Sequence, residues 1–200
     1  MPARISIILA STSPRRIDLL TQAGLKPRVM APDVDEARLP RETPRAMVAR
    51  LALLKAQAVL ARVREPALII AADTTVVAPG GKLVLGKPRD ARDARRMLAL
   101  LSGRTHTVLT GFCILPTQPG GRAVVRVVTS RVRMRALSKR GIAAYVATGE
   151  PMDKAGSYAA QGIGTALIES LSGSYSNVVG LPICQVLQIL EIQFGLGLFK

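Results

Sequence analysis

The chain has 200 residues, 48% hydrophobic and 20% charged, which excludes a disordered polymer and allows a core that needs no cross-links. Only 3% of residues are aromatic and Trp is absent, so Ile, Leu, Val and Ala must fill that core. Lys plus Arg number 28 against 13 Asp plus Glu, and the formal charge of +15 favours anionic partners: nucleic acid, anionic membrane or phosphorylated metabolites. The basic residues are scattered (Arg92, Arg95, Arg96, Arg122, Arg126, Arg131, Arg133, Arg135) and no basic tail occurs. Phe112, Phe194, Phe199 and three tyrosines are too far apart to form a stacking platform for single strands. A basic, solvated surface is therefore expected, and nucleic acid is not expected as a partner.

Residues 5–10 are a short apolar run rich in β-branched side chains, which predicts a buried strand. Ser11-Thr12-Ser13-Pro14-Arg15-Arg16 follows, then the helical pattern Ile17, Leu19, Leu20, Ala23 and a stop at Gly24; Ser13 is the expected N-cap and Pro14 the first helical residue. Thr43-Pro44 repeats that start for a helix running to about Val63 with Lys55 in its middle. Residues 67–72 predict a second buried strand ending at Asp73, and Val76 and Val77 face residues 83–85 across Pro79-Gly80-Gly81 as a hairpin. Asp90 caps a helix over 91–101 that Gly103 terminates. Residues 107–115 and 123–135 are β-rich runs separated by a turn over 116–121. Ser138 caps a helix through Tyr145 with Gly149 beyond it, residues 157–171 give no clear pattern, and 181–194 reads as a closing helix or a strand–helix pair. Alternation of both element types without repeats defines an α/β fold with a mixed sheet.

Cys113 and Cys184 lie in apolar runs and are expected as buried free thiols rather than a disulfide. His106 is the single histidine, which excludes a His-rich metal site and leaves little scope for a Ser-His-Asp triad. The amino-terminal apolar stretch is short and followed by Pro14, Arg15 and Arg16, unlike a secretory leader, and no apolar run approaches the ~20 residues that span a bilayer. No membrane association and a cytoplasmic location are expected.

Residues 11–16 join a strand to a helix start, where backbone N–H groups, the helix dipole and two arginines suit a phosphate; an ordinary capped helix with solvated arginines fits equally well. Asp73, expected at the carboxyl end of a strand, would face the crevice in which α/β proteins bind ligands, or else cap a turn. Asp33, Asp35 and Glu36 form a dense acidic cluster that with Asp73 can hold Mg²⁺, or is simply a solvated loop. Lys55, among apolar neighbours, either snorkels to solvent or reaches a phosphate, and spacing does not decide between them. Gly86-Lys87-Pro88 and Asp153-Lys154-Ala155-Gly156 both present a cation beside a turn that allows close backbone approach. Gln161 in Gln161-Gly162-Ile163-Gly164 carries an amide able to read a base edge. That run is not a dinucleotide fingerprint, and the absence of GxxxxGK[ST] excludes a P-loop enzyme.

These segments, with Leu9-Ala10 before the first turn, Arg50-Leu51-Ala52, Lys55-Ala56, Ala72-Asp73-Thr74, Gly86-Lys87-Pro88-Arg89-Asp90, Leu101-Ser102-Gly103 with His106, Thr110-Gly111, and Asp153-Lys154-Ala155-Gly156-Ser157-Tyr158 with Gln161-Gly162, occur in a fixed order; residues 173–182 complete it. The chain thereby resembles the Maf family of nucleotide pyrophosphatases over residues 7–187. The resemblance implies a single domain over residues 1–200: a mixed sheet with flanking helices, two lobes around a cleft, akin to the inosine triphosphate pyrophosphatases. It implies hydrolysis between the α- and β-phosphates of a nucleoside triphosphate, aided by Mg²⁺ or Mn²⁺. Asp73 matches the catalytic position that activates water, and Ser11, Arg16, Glu36, Lys55 and Lys87 match positions lining the active site; in the mechanism this suggests, Glu36 and Asp73 hold the metal. Arg15, Thr74 and Gln161 match the branch acting on dTTP and UTP. The alternative within the enzyme class is 7-methyl-GTP or another modified purine triphosphate; in another class it is a nucleic-acid-binding module. Relatives are often dimers, and the apolar run 189–199 offers a surface for a homodimer. Two departures stand out: Leu54 replaces a usually polar residue before Lys55, and residues 130–135 are more basic than the family's strand there.

Overall fold

A computed structural model describes residues 5–197; Phe199, at the end of the apolar carboxyl-terminal run, lies outside the described residues. Among the described residues one mixed sheet has seven strands in the order β2-β1-β3-β5-β6-β7, with β4 paired to β3 off that path. β1 (Ser6–Leu9) pairs in parallel with β2 (Arg28–Val29) and with β3 (Ala67–Val77), while β3 pairs antiparallel with β4 (Val84–Leu85). β6 (Val124–Met134) pairs antiparallel with the edge strand β7 (Ile168–Ser172), and β5 is Thr105–Pro116. The mixed α/β architecture with flanking helices is the expected one. No helix among the described residues is long and apolar enough to cross a membrane.

The chain forms two compact units. Among the described residues the first takes 5–73, Thr110–Val127 and 180–197; the second takes Thr74–Leu109 and Val128–Val179. In the first, α1 (Pro14–Gln22), α2 (Pro44–Leu60) and α6 (Ile183–Phe194) accompany the strands. The odd-numbered β3 residues Ala67, Ile69 and Ala71 pack with Ala52, Ala56 and Val59 of α2 and with Cys113, so period 2 on the strand meets period 3.6 on the helix. Gly111 of β5 lets α2 approach closely: a Cβ there would stand 2.2 Å from the Val48 carbonyl oxygen. In the second unit α3 (Ala91–Leu101) and α4 (Lys139–Ala147) cover Val76, Val108, Val132 and Met134, and α5 (Tyr175–Val179) follows β7.

The basic run 130–135 is the outer face of an alternating strand. Ser130, Val132 and Met134 are buried, whereas Arg131 and Arg133 are exposed opposite Ser172 and Ser170, and Arg133 pairs with Glu169 at 3.4 Å. The expected caps Thr43, Asp90 and Ser138 each accept a hydrogen bond from a first-turn N–H. Ser13 does not cap α1 through its side chain. Cys113 is buried but Cys184 is exposed, contrary to expectation, because Ile183-Cys184-Gln185 is the first turn of a helix whose inward residues are Val186 and Leu190. β2 and β7 carry little sequence signal: the one has two residues and the other is a polar edge.

Candidate active site

Asp73 does not follow the end of a strand, as the apolar run before it suggests; β3 continues unbroken from Ala67 to Val77. What ends near this level is the neighbour. β1 pairs with β3 only as far as Leu9 opposite Ile70, and Ala10 adds one N–H bond to the Ile70 carbonyl. Asp73 therefore stands three residues beyond the last β1 pairing. Strand alternation puts it on the same face as Ile69 and Ala71, the face that packs against α2. There it is 7% exposed.

Lys55 meets it from α2. Helix positions 48, 51, 52, 55, 56 and 59 form the buried face, so Lys55 sits on the apolar stripe at 5% exposure and does not snorkel. Its ammonium donates to Asp73 Oδ1 at 2.7 Å and lies 3.0 Å from Glu36 Oε1. Two carboxylates thus share one cation, one of them buried and the other largely exposed. The partner of Lys55 in the folded chain is neither bulk solvent nor a phosphate but this pair of acids.

Of the acidic cluster only Glu36 reaches this centre; Asp35 instead accepts the Ala37 N–H at 2.9 Å, closing a local turn. The loop that carries Glu36 is clasped by Arg50, a residue to which the sequence attaches no role. Arg50 donates to Glu42 Oε1 at 2.6 Å, to Glu42 Oε2 at 2.9 Å and to the Ala37 carbonyl at 3.0 Å. The hydrogen bond from Arg50 holds the Glu42 carboxyl below its ordinary value, and that to Glu42 raises Arg50.

On α1, Arg16 Nη1 donates to Ser11 Oγ at 3.1 Å and Arg16 Nε to the Gly180 carbonyl at 2.8 Å. Ser11 is buried, and its hydroxyl also accepts the Ser13 N–H at 3.2 Å, so Ser11 rather than Ser13 organises the turn. Burial pulls the Arg16 guanidinium below its ordinary value; Asp73 raises it, Arg15 lowers it and Glu36 raises it. Arg16 accordingly feels the charge of both carboxylates. Ser11, Arg15, Arg16, Glu36, Lys55 and Asp73 all belong to the first unit.

Thr74, Lys87 and Gln161 belong to the second. Strand alternation turns Thr74 to the same face as Val76, opposite that of Asp73. Lys87 is exposed in a turn whose Gly86 carbonyl accepts the Gly156 N–H at 3.0 Å, so the two cation-bearing turns noted in the sequence are bonded to each other. Gly156 has φ 71° and would place a Cβ 3.0 Å from Val76, which disfavours a side chain there. Gln161 precedes a 3₁₀ turn over Gly162–Leu167. His106 is buried, its Nε2 2.8 Å from the Tyr158 hydroxyl, and burial lowers its pKa to about 4.

Two carboxylates around a single cationic atom suit an ion such as Mg²⁺, which uses one or two carboxylates and completes its shell with water and substrate phosphate. No group of three or more His, Cys, Asp or Glu capable of holding a metal exists among the described residues. What the site has is a buried acid, a second acid beside it, and two cations, Lys55 and Arg16, held by side chains and backbone.

The family model for Maf-like protein matches residues 6–193, and the chain belongs to that family. It is 50% identical over 190 residues to the dTTP/UTP pyrophosphatase of Shewanella denitrificans, covering 92% of this chain and 93% of that one. It is 48% identical over 191 residues to the dTTP/UTP pyrophosphatase of Geotalea uraniireducens, covering 96% of each. Among solved structures the Staphylococcus aureus Ham1 protein matches 82% of this chain and 79% of its own at 16% identity, with a TM-score of 0.48.

Proposed function

We propose that this chain hydrolyses dTTP and UTP to the nucleoside monophosphate and pyrophosphate. The observation that carries the reading is the buried Asp73 carboxylate, bonded to Lys55 and facing the charge of Arg16, in a chain about half identical over its length to proteins named for that reaction.

The reaction adds water across the bond between the α-phosphorus and its bridging oxygen, so a proton must leave the water as pyrophosphate departs. Asp73 is the acceptor: a carboxylate held by Lys55 at one oxygen does not need to reorient as the proton arrives. Negative charge grows on the phosphoryl oxygens and on the leaving group; Arg16 neutralises it, and Lys55 adds its positive field while staying bonded to Asp73 and Glu36. Ser11 keeps the Arg16 guanidinium aimed, and the Gly180 carbonyl fixes it from the other side. Glu36 and Asp73 would hold a divalent cation, Mg²⁺ or Mn²⁺, which supplies a bound water of lowered pKa. Lys87 is assigned to phosphate charge, and Arg15, Thr74 and Gln161 to recognition of the pyrimidine, on the resemblance. A cytoplasmic location belongs to the same reading. A homodimer is proposed through α6, where Ile192 is 81% exposed; light scattering reads it.

The test is Asp73→Asn, assayed with dTTP and UTP in the presence of Mg²⁺ or Mn²⁺ while pyrophosphate and single phosphate are measured separately. The variant folds and loses about 10³-fold in kcat, the scale of a lost general base. Release of single phosphate by the wild type, or near-normal turnover by the variant, refutes the assignment.

A further inference from the structure

Residues 159–164, which carry Gln161, are wound around one carboxylate that the reaction does not use. Glu150 Oε1 accepts the Ile163 N–H at 2.9 Å, and Oε2 accepts the Gly164 N–H at 2.8 Å. The Tyr145 hydroxyl donates to Oε2 at 2.6 Å and accepts the Ala159 N–H at 3.1 Å. The backbone is thus tied to Glu150 on both sides of Gln161: directly at 163 and 164, and through Tyr145 at 159. The Ala160 carbonyl is engaged as well, accepting from Tyr175 Oη at 3.2 Å and Thr165 Oγ1 at 3.4 Å.

The winding leaves no room for larger residues at its two glycines. Gly162 has φ 66°, and a Cβ there would lie 2.3 Å from Glu150 Oε1. A Cβ on Gly164 would lie 2.4 Å from the Ala159 carbonyl oxygen and 2.6 Å from the Tyr145 hydroxyl. Both glycines of the Gln-Gly-Ile-Gly run are therefore required by Glu150 and Tyr145. The Gln161 side-chain amide makes no hydrogen bond among the described residues, so the segment fixes a backbone on which a polar group stays available.

We infer that Glu150, with Tyr145 as its relay, is a positioning residue for Gln161 and so sets the selectivity for the pyrimidine base. The inference rests on the proposed reading of Gln161 as a base-contacting residue. Glu150 acts through the loop and takes no part in breaking the phosphoanhydride bond. Its carboxylate faces three donors; burial opposes its charge, but Tyr145, Gly164 and Ile163 hold its pKa below the ordinary range. A carboxylate satisfies all three, whereas a glutamine must turn its NH₂ toward at least one of them.

The experiment uses the full chain. Glu150→Gln raises KM for dTTP about tenfold, the scale of one mispositioned hydrogen bond, and leaves kcat within about twofold. The same substitution in a Gln161→Ala background changes KM by less than about twofold, because the effect passes through the amide already removed. Equal effects in both backgrounds, or a fall in kcat without a rise in KM, overturn the inference. Should Glu150→Gln not fold, Tyr145→Phe keeps the charge and cuts only the relay; it raises KM about threefold, again only when Gln161 is present, and an unchanged KM overturns the inference. Amide exchange in the wild type gives a readout without substrate. Ile163 and Gly164 exchange slowly, and fast exchange at both refutes the clamp. If the wild type cleaves no triphosphate, the proposed function falls while the exchange result still decides whether the clamp exists.

Discussion

Replacing Lys55 with Met keeps the volume of the side chain and removes its charge, leaving Asp73 buried without its hydrogen-bonded cation. Lys55 and Asp73 side chains are only 7% and 11% exposed, so the pair is interior, and breaking an interior pair costs about 3–5 kcal/mol. Arg16 also faces Asp73 and moderates the penalty, while Glu36, 58% exposed, returns to water at little cost. The expected loss is therefore near the lower bound, about 3 kcal/mol, which for 200 residues lowers Tm by roughly 7 °C. Adding Asp73→Asn to Lys55→Met removes the stranded charge and recovers at least about half of the loss, so the two substitutions are strongly non-additive. Urea titrations and thermal scans of the wild type, both single variants and the double variant measure this. If Lys55→Met costs less than about 1 kcal/mol, or the double variant is as unstable as the sum of the singles, the pair does not have the energetic role given to it.

Gly111→Ala forces a methyl into the Val48 backbone carbonyl and costs at least about 3 kcal/mol, read by urea denaturation; a neutral result would show that α2 yields easily. His106 titrates near 4 when folded and near 6.5 when unfolded, so its contribution is complete above pH 6.5 and is lost as pH falls toward 4, about 3 kcal/mol in all. His106→Gln flattens that part of the stability profile, which urea titrations at the two ends of the window check. A thiol reagent labels Cys184 rapidly, whereas Cys113, buried and with its thiol pushed up to about 12, reacts only on unfolding; mass spectrometry of labelled peptides distinguishes them.

What is legible in the sequence is local. The caps at Thr43, Asp90 and Ser138 are short-range bonds between a side chain and an N–H three residues on, and the hairpin between β3 and β4 is announced by its own glycines. The members of the first unit's charged cluster are also recoverable, because Ser11, Arg16, Lys55 and Asp73 each sit in a distinctive segment. Their arrangement is not. A charged residue interrupting an apolar run looks like a strand end at Asp73, yet hydrogen bonding depends on the neighbour, and it is β1 that stops short. Lys55 on an apolar helix face is ambiguous because its partner lies 18 residues away and in another element. Arg50, which stands in a matched segment but without a role, and Glu150 go unassigned for the same reason: each acts on a loop, and nothing in the spacing reveals which backbone a charged group will hold.

The bond from Arg16 to the Gly180 carbonyl joins residues 164 positions apart. During synthesis a ribosome must therefore have made nearly the whole chain before Arg16 can reach its final orientation, although Lys55 and Asp73 are made much sooner. Because the first unit is assembled from three separate stretches and the second from two, no single cut yields either one whole. A shortened product ending before Gly180 would retain the two acids, their lysine and the Ser11 bond to Arg16, while lacking the carbonyl that accepts from the Arg16 Nε.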